Sequence, residues 1–167
     1  MGVAAASASF DCTDERATER LGAAIAHAVQ TLKAGPVLMT LSGELGAGKT
    51  TLVRAILRGL GHRGPVPSPT YMLLEPYEAG GWGIAHVDCY RLQRPSELEN
   101  LGLRDWLSGR RLTLVEWPEN AAEALPVADV RIVIRVSQIR RTFQLQAATE
   151  TGEAILAQLG TPAATKS

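Results

Sequence analysis

Apolar positions first recur at helical spacing, with Leu21, Ile25, Ala28, Val29 and Leu32 on one face of a 3.6-residue repeat. Thr13–Asp14 supplies a cap before this helix, and Gly35–Pro36 ends it. Val37–Leu41 is a short unbroken apolar run, the pattern of a strand buried on both faces. Leu52, Val53, Ile56, Leu57 and Leu60 make a second helical face, stopped by Gly59, Gly61 and Gly64. Pro65, Pro67 and Pro69 hold the segment 64–69 extended. Tyr71–Tyr77 and Trp82–Val87 read as strands, and Ala79–Gly80–Gly81 between them makes a hairpin. Pro95–Leu107 predicts a helix, with Ser96 as its cap and Glu99 at capping-box spacing. Leu112–Val115 is another buried strand, and Pro118 suits the first position of a helix. Val130, Ile132, Ile134 and Val136 then alternate with charged positions, Phe143–Ala147 offers a pairing partner, and Glu153–Leu159 closes as a short helix.

Helix and strand alternate early, and antiparallel strands close the sheet late. The pattern predicts an α/β fold with a mixed, mostly parallel central sheet flanked by helices. No internal repeat occurs. At 167 residues the chain fits one domain, expected over 10–160, with the Ala/Ser-rich 1–9 and the small, polar 161–167 as flexible tails.

Composition narrows the classes. Hydrophobic residues make up 46% and charged residues 20%, which excludes wholesale disorder. Lys+Arg and Asp+Glu are both 17, so no global positive field drives non-specific nucleic-acid binding, and no DNA partner is expected. The two cysteines, Cys12 and Cys89, form no disulfide framework and no CxxC. No apolar run reaches the roughly 18 residues of a membrane span. Met1–Phe10 has no basic residue ahead of its apolar run and meets Asp11 too early for a signal peptide, and Ala6 breaks the myristoylation pattern. A cytoplasmic protein is the expectation.

The chemistry is carried by Gly43-Glu44-Leu45-Gly46-Ala47-Gly48-Lys49-Thr50, which fits G-x-x-x-x-G-K-[ST] at every fixed position. A strand enters this loop and an amphipathic helix leaves it, the context a phosphate loop requires. Glycines let successive N–H groups converge on phosphate oxygens, and the helix N-terminus adds partial positive charge. Lys49 then faces the β- and γ-phosphates, and the Thr50 hydroxyl faces Mg²⁺. An acid near the metal is also needed. Asp88 ends Ile84-Ala85-His86-Val87, and Glu116 ends Leu112-Thr113-Leu114-Val115. Both belong to the C-terminal edge of the expected sheet, where ligands bind in α/β folds.

Neither N-K-x-D nor D-x-x-G occurs, so adenine is favoured over guanine. Weaker candidates remain. His86-Val87-Asp88-Cys89 mixes metal-ligand types, but a lone H-x-x-C reads as a strand end. Trp117 is either core or an aromatic surface for a base. Arg140 and Arg141 are either phosphate contacts or a solvated edge.

The ordered set Leu45-Gly46-Ala47-Gly48-Lys49-Thr50-Thr51, Ser68-Pro69-Thr70-Tyr71, His86-Val87-Asp88-Cys89-Tyr90-Arg91 and Val115-Glu116-Trp117-Pro118-Glu119 resembles the TsaE family. The start of the first helix, Thr18-x-x-Leu21-Gly22, is similar too. The resemblance runs from about Glu15 to Arg141. It implies a small P-loop ATPase needed for threonylcarbamoyladenosine (t6A) at position 37 of certain tRNAs. Such a protein hydrolyses ATP with Mg²⁺ beside the TsaB–TsaD pair, and it meets tRNA indirectly, through that complex. TsaD transfers the threonylcarbamoyl group that TsaC makes. By motif match, Gly43–Thr51 hold the phosphates, Thr50 and Glu116 stand at the metal, Ser68–Thr70 form a switch-like loop, and Asp88 is needed for turnover. Glu15 and one of Arg140 or Arg141 close the nucleotide site. Cys89 departs from the family, which more often has Leu there.

Two other readings of the same loop stay open. One is a small-molecule kinase, with Arg91, Arg94, Arg104, Arg110 and Arg111 clamping a phosphorylated acceptor. The other is a nucleotide-gated binding module with negligible hydrolysis.

Overall fold

A computed structural model describes residues 5–160. Asp14 starts the first helix: its carboxylate accepts the Ala17 N–H at 2.8 Å, and α1 runs Glu15–Gln30. Strand β2 (Val37–Gly43) follows, then α2 (Lys49–Gly59). The expected hairpin is β3 (Leu74–Ala79) with β4 (Trp82–Asp88). Its first strand begins three residues later than the apolar pattern suggests, because Leu73 sits at φ 61° and its N–H turns back to the Pro69 carbonyl. Then come β5 (Arg111–Glu116), a 3-10 turn opened by Pro118, β6 (Val130–Val136), β7 (Arg141–Ala147) and α5 (Glu150–Leu159). The Thr149 hydroxyl caps α5 through the Gly152 N–H, which places its start three residues before the expected one.

The stretch expected as one helix from Pro95 to Leu107 is two short ones, α3 (Ser96–Asn100) and α4 (Leu103–Trp106). Gly102, at φ 75°, breaks them apart. The Ser96 capping box does not form. The Glu97 carboxylate instead accepts the Gln93 and Arg94 N–H groups ahead of the helix. Ser7–Ser9, expected in a flexible tail, belong to strand β1 (Ser7–Cys12), which pairs antiparallel with β7. The remaining tail expectations, 1–4 and 161–167, lie outside the described residues.

The sheet order is β1-β7-β6-β2-β5-β4-β3. The mixed sheet is present, and its parallel part is the four central strands β6-β2-β5-β4. The outer pairings β1–β7, β7–β6 and β4–β3 are antiparallel. One face is covered by α1, α2 and α5, with Ile25, Leu52, Ile56, Leu41, Leu114 and Phe143 in the core. The other face of the central strands is covered by α3, α4 and the 3-10 turn, around Leu38, Val87, Val115, Leu98 and Leu103. Alternation along β5 sends Leu112, Leu114 and Glu116 towards α2, with Thr113 and Val115 pointing away. The same rule puts His86 and Asp88 of β4 on the α2 face. Among the described residues, no helix is long and apolar enough to cross a membrane.

Candidate nucleotide site

Parallel register aligns Leu41, Glu116 and Asp88 across β2, β5 and β4. The C-terminal ends of three neighbouring strands therefore deliver the phosphate loop and both acids to one edge. The β2 strand is flanked by β5 on one side and β6 on the other, so the loop leaves the sheet where connections diverge, the usual ligand crevice of an α/β fold. A cleft of about 300 Å³ lies there, lined by Gly46, Gly48, Lys49, Thr50 and Thr51 of the loop and helix, with Ser68, Thr70, Asp88 and Glu116 opposite. Leu45, Tyr90, Trp117 and Arg141 complete its lining.

Gly48 is the residue before α2 and sits at φ 109° and ψ 21°, a conformation that side chains rarely adopt. No side chain caps this helix, so its first N–H groups are left to face the cleft. Lys49 is buried, and its Nζ donates to the Gly43 carbonyl at 2.6 Å and the Glu44 carbonyl at 2.9 Å. The ammonium also lies 4.0 Å from the Trp117 ring centre. Burial pulls the Lys49 ammonium below the ordinary lysine range, while Glu116, Glu119 and Asp88 oppose that shift.

The Thr50 hydroxyl lies 2.8 and 3.0 Å from the two Glu116 oxygens. Glu116 also meets His86, whose Nε2 stands 2.5 Å from Oε2. Asp88 serves the other wall. Its Oδ2 accepts Ser68 at 2.9 Å and Thr70 at 3.3 Å, and its Oδ1 accepts the Tyr90 N–H at 2.9 Å. Ser68 and Thr70 are themselves 2.9 Å apart. Trp117 adopts φ 57°, donates its N–H to the Leu41 carbonyl at 3.2 Å and contacts the Tyr90 ring at 4.9 Å between centroids. A left-handed tryptophan turns the chain sharply after Glu116 and leaves the indole over Lys49.

Most sequence candidates meet at this edge. Gly43, Glu44 and Ala47 shape the loop rather than line the cleft. The first two offer carbonyls to Lys49, and Ala47 is buried and donates its N–H back to Glu44. The structure separates the two arginines. Arg141 lines the cleft beside Gly48, whereas Arg140 turns away to pair with Asp11 at 3.2 Å. Glu15 is an exposed first residue of α1 and does not line the cleft. His86 and Cys89 are not a ligand pair, because three residues along an extended chain sends them to opposite faces. Among the described residues no three His, Cys, Asp or Glu side chains cluster as a metal site of their own. None of Arg91, Arg94, Arg104, Arg110 or Arg111 lines the cleft; three of them stack on Tyr71, Trp82 and Trp106. The sequence reading left Tyr90 and His86 out of the site. Tyr90 follows Asp88 closely enough to have been noticed; His86 reaches the site only through a contact 30 residues away.

A match to the family described as "Threonylcarbamoyl adenosine biosynthesis protein TsaE" spans residues 12–143. A tRNA threonylcarbamoyladenosine biosynthesis protein TsaE from Haemophilus influenzae is 42% identical over 144 residues, covering 86% of this chain and 91% of that protein. The protein of the same name from Streptomyces coelicolor is 45% identical over 106 residues, covering 62% of this chain and 70% of the relative. The crystal structure of YdiB from Bacillus subtilis superposes with a TM-score of 0.76 at 27% identity, covering 95% of this chain and 97% of that one. Matched across its loop, both acids and its whole parallel sheet, the chain belongs to the TsaE family of threonylcarbamoyl adenosine biosynthesis proteins.

Proposed function

We propose that the chain is an ATPase that uses Mg²⁺ and serves t6A formation at position 37 of tRNAs, working with TsaB and TsaD and meeting tRNA through them. One observation carries the reading. The phosphate loop, the Thr50–Glu116 pair and the Asp88–Ser68–Thr70 cluster converge on one cleft at the end of three parallel strands. The family supplies the t6A context.

The donor set fits the ion. Thr50 and Glu116 offer hard oxygens within 3.0 Å of each other. Mg²⁺ takes few protein ligands and completes its shell with phosphate and water, so a larger protein cage is not required. When bound, the ion supplies charge neutralisation across the phosphate oxygens. The protein's own groups do the rest. Loop N–H groups and the start of α2 cradle the phosphates. Lys49 exchanges its carbonyl partners for phosphate oxygen, and its partly desolvated ammonium gains more from an anion than an exposed one does. Both Asp88 oxygens are engaged, so Asp88 acts by anchoring the segment that carries Ser68 and Thr70 at the cleft wall, from which these hydroxyls close on the γ-phosphate as water attacks to release ADP and phosphate.

Adenine preference rests on the missing guanine motif. The kinase reading loses its acceptor clamp, since none of its five arginines lines the cleft. The test is turnover by Lys49→Ala. Removing this charge should lower ATP hydrolysis by roughly 10²-fold or more with the fold retained. Circular dichroism and ATP and GTP assays check it; unchanged hydrolysis in a folded variant overturns the reading.

A further inference from the structure

His86 is fully buried within β4, on the sheet face covered by α2 and beneath the edge that carries Glu116. Nothing in the nucleotide chemistry above uses it, yet it makes the shortest polar contact to the carboxylate that meets Thr50. Its Nδ1 is buried and has no partner. The tautomer follows from these two facts. A proton on Nδ1 would strand a buried donor and set the Nε2 lone pair against a carboxylate oxygen at 2.5 Å. A proton on Nε2 removes both penalties, so Nε2–H donates to Glu116 Oε2.

Glu116 Oε2 thus receives His86 from below and Thr50 from the cleft side. Oε1 meets Thr50 alone, at 2.8 Å. The carboxylate is gripped on one oxygen by a rigid ring anchored in the sheet. A side chain with three rotatable bonds would otherwise lose orientation, and a misdirected carboxylate cannot share an ion with the Thr50 hydroxyl. We propose that His86 is a positioning residue that locks the Glu116 carboxylate against Thr50 and so sets the affinity of the nucleotide site for its Mg²⁺. The proposal rests on the Mg²⁺-nucleotide reading of the cleft. Ligating carboxylates held by an outer hydrogen bond commonly lose 10–100-fold in metal affinity when that bond is removed.

The experiment compares His86→Leu, which keeps an apolar volume without a donor, with His86→Gln, which restores an N–H at similar reach. ADP affinity is titrated with Mg²⁺ and with a chelator, using full-length protein. Wild type should bind ADP more tightly with Mg²⁺. His86→Leu should keep the chelator-condition affinity and need roughly tenfold more Mg²⁺ to reach the tighter state. His86→Gln should recover most of the difference. An unaltered Mg²⁺ requirement in folded His86→Leu, with wild type responding normally, overturns the role of His86 alone. A wild type that binds no nucleotide overturns the site reading and this role together. A second measurement does not depend on the apolar variant folding: long-range ¹H–¹⁵N spectra of the histidine rings, with His27 and His62 substituted to leave His86. The proton is expected on Nε2, and a proton on Nδ1 overturns the proposal.

Discussion

Two acids end neighbouring strands in register, yet their surroundings give them different work. Glu116 is tied to Thr50 and His86, and Asp88 to Ser68, Thr70 and the Tyr90 N–H. Glu116→Ala should therefore weaken Mg²⁺-dependent ADP binding by about tenfold or more. Asp88→Ala should leave that binding nearly intact and slow hydrolysis by about 10²-fold, because the loop it holds is misplaced. Mg²⁺ titrations and rate assays on both variants check the split, and the reverse pattern would exchange the assignments. The residue beside Asp88 behaves differently again. Burial, reinforced by Asp88, Glu119 and Glu116, pushes the Cys89 thiol up to about 12. At pH 8 it should resist alkylation in the folded protein and react once the chain is unfolded, which mass spectrometry of carbamidomethylated protein reads directly. The sign for stability follows. The unfolded thiol ionises near pH 9 and the folded one near 12, so this contribution is whole below pH 9 and is lost as pH climbs through that window.

The helices that place the loop are set by close contact. A Cβ on Gly22 of α1 would stand 2.3 Å from the Ala55 Cβ of α2. Gly22→Ala should destabilise the fold by about 1–3 kcal/mol, since the backbones must part. Thermal unfolding against an exposed Ala24→Ser control measures it. A drop in melting temperature no larger than the control's would show that the helices have room. At this scale the sequence was readable where neighbours in the chain are neighbours in space. The loop, its entering strand and its leaving helix are contiguous, and so are the Asp14 cap and the hairpin glycines. Elements that depend on distant partners were not readable. Strand β1 offers only Ala8, Phe10 and Cys12 to the core, and its pairing is with β7, more than a hundred residues later. Arg140 and Arg141 are adjacent in sequence, and only the register of β7 decides which one faces Gly48. The Ser96–Glu99 spacing pointed to one helix over Pro95–Leu107, but the box does not form and a left-handed Gly102 divides the stretch.

At the scale of the whole molecule, the proposed hydrolysis needs a source of speed. Phosphoryl transfer by this fold is mostly positioning and electrostatics, and an arginine finger can add roughly 10³–10⁵ in rate. The segment that brings Ser68 and Thr70 to the cleft, Gly64–Thr70, contains no arginine. Its Ser68 and Thr70 hydroxyls are turned onto Asp88. Just beyond them in the chain Tyr71 and Met72 are exposed, 84% and 68%, and Leu45 on the loop itself is exposed too. Exposed apolar side chains that follow a cleft-wall segment in the chain suit contact with another protein. The lone chain should accordingly hydrolyse ATP slowly, and TsaB with TsaD should raise the rate by pressing Ser68 and Thr70 onto the nucleotide. Arg141 is the competing source of charge, because it already lines the cleft from within the chain. The two arrangements separate in a steady-state assay. If partners act through the switch-like segment, adding TsaB and TsaD should raise turnover, and Thr70→Ala should bind ATP normally yet lose the stimulation. If Arg141 suffices, the lone protein is already fast, Arg141→Ala slows it, and the partners change nothing.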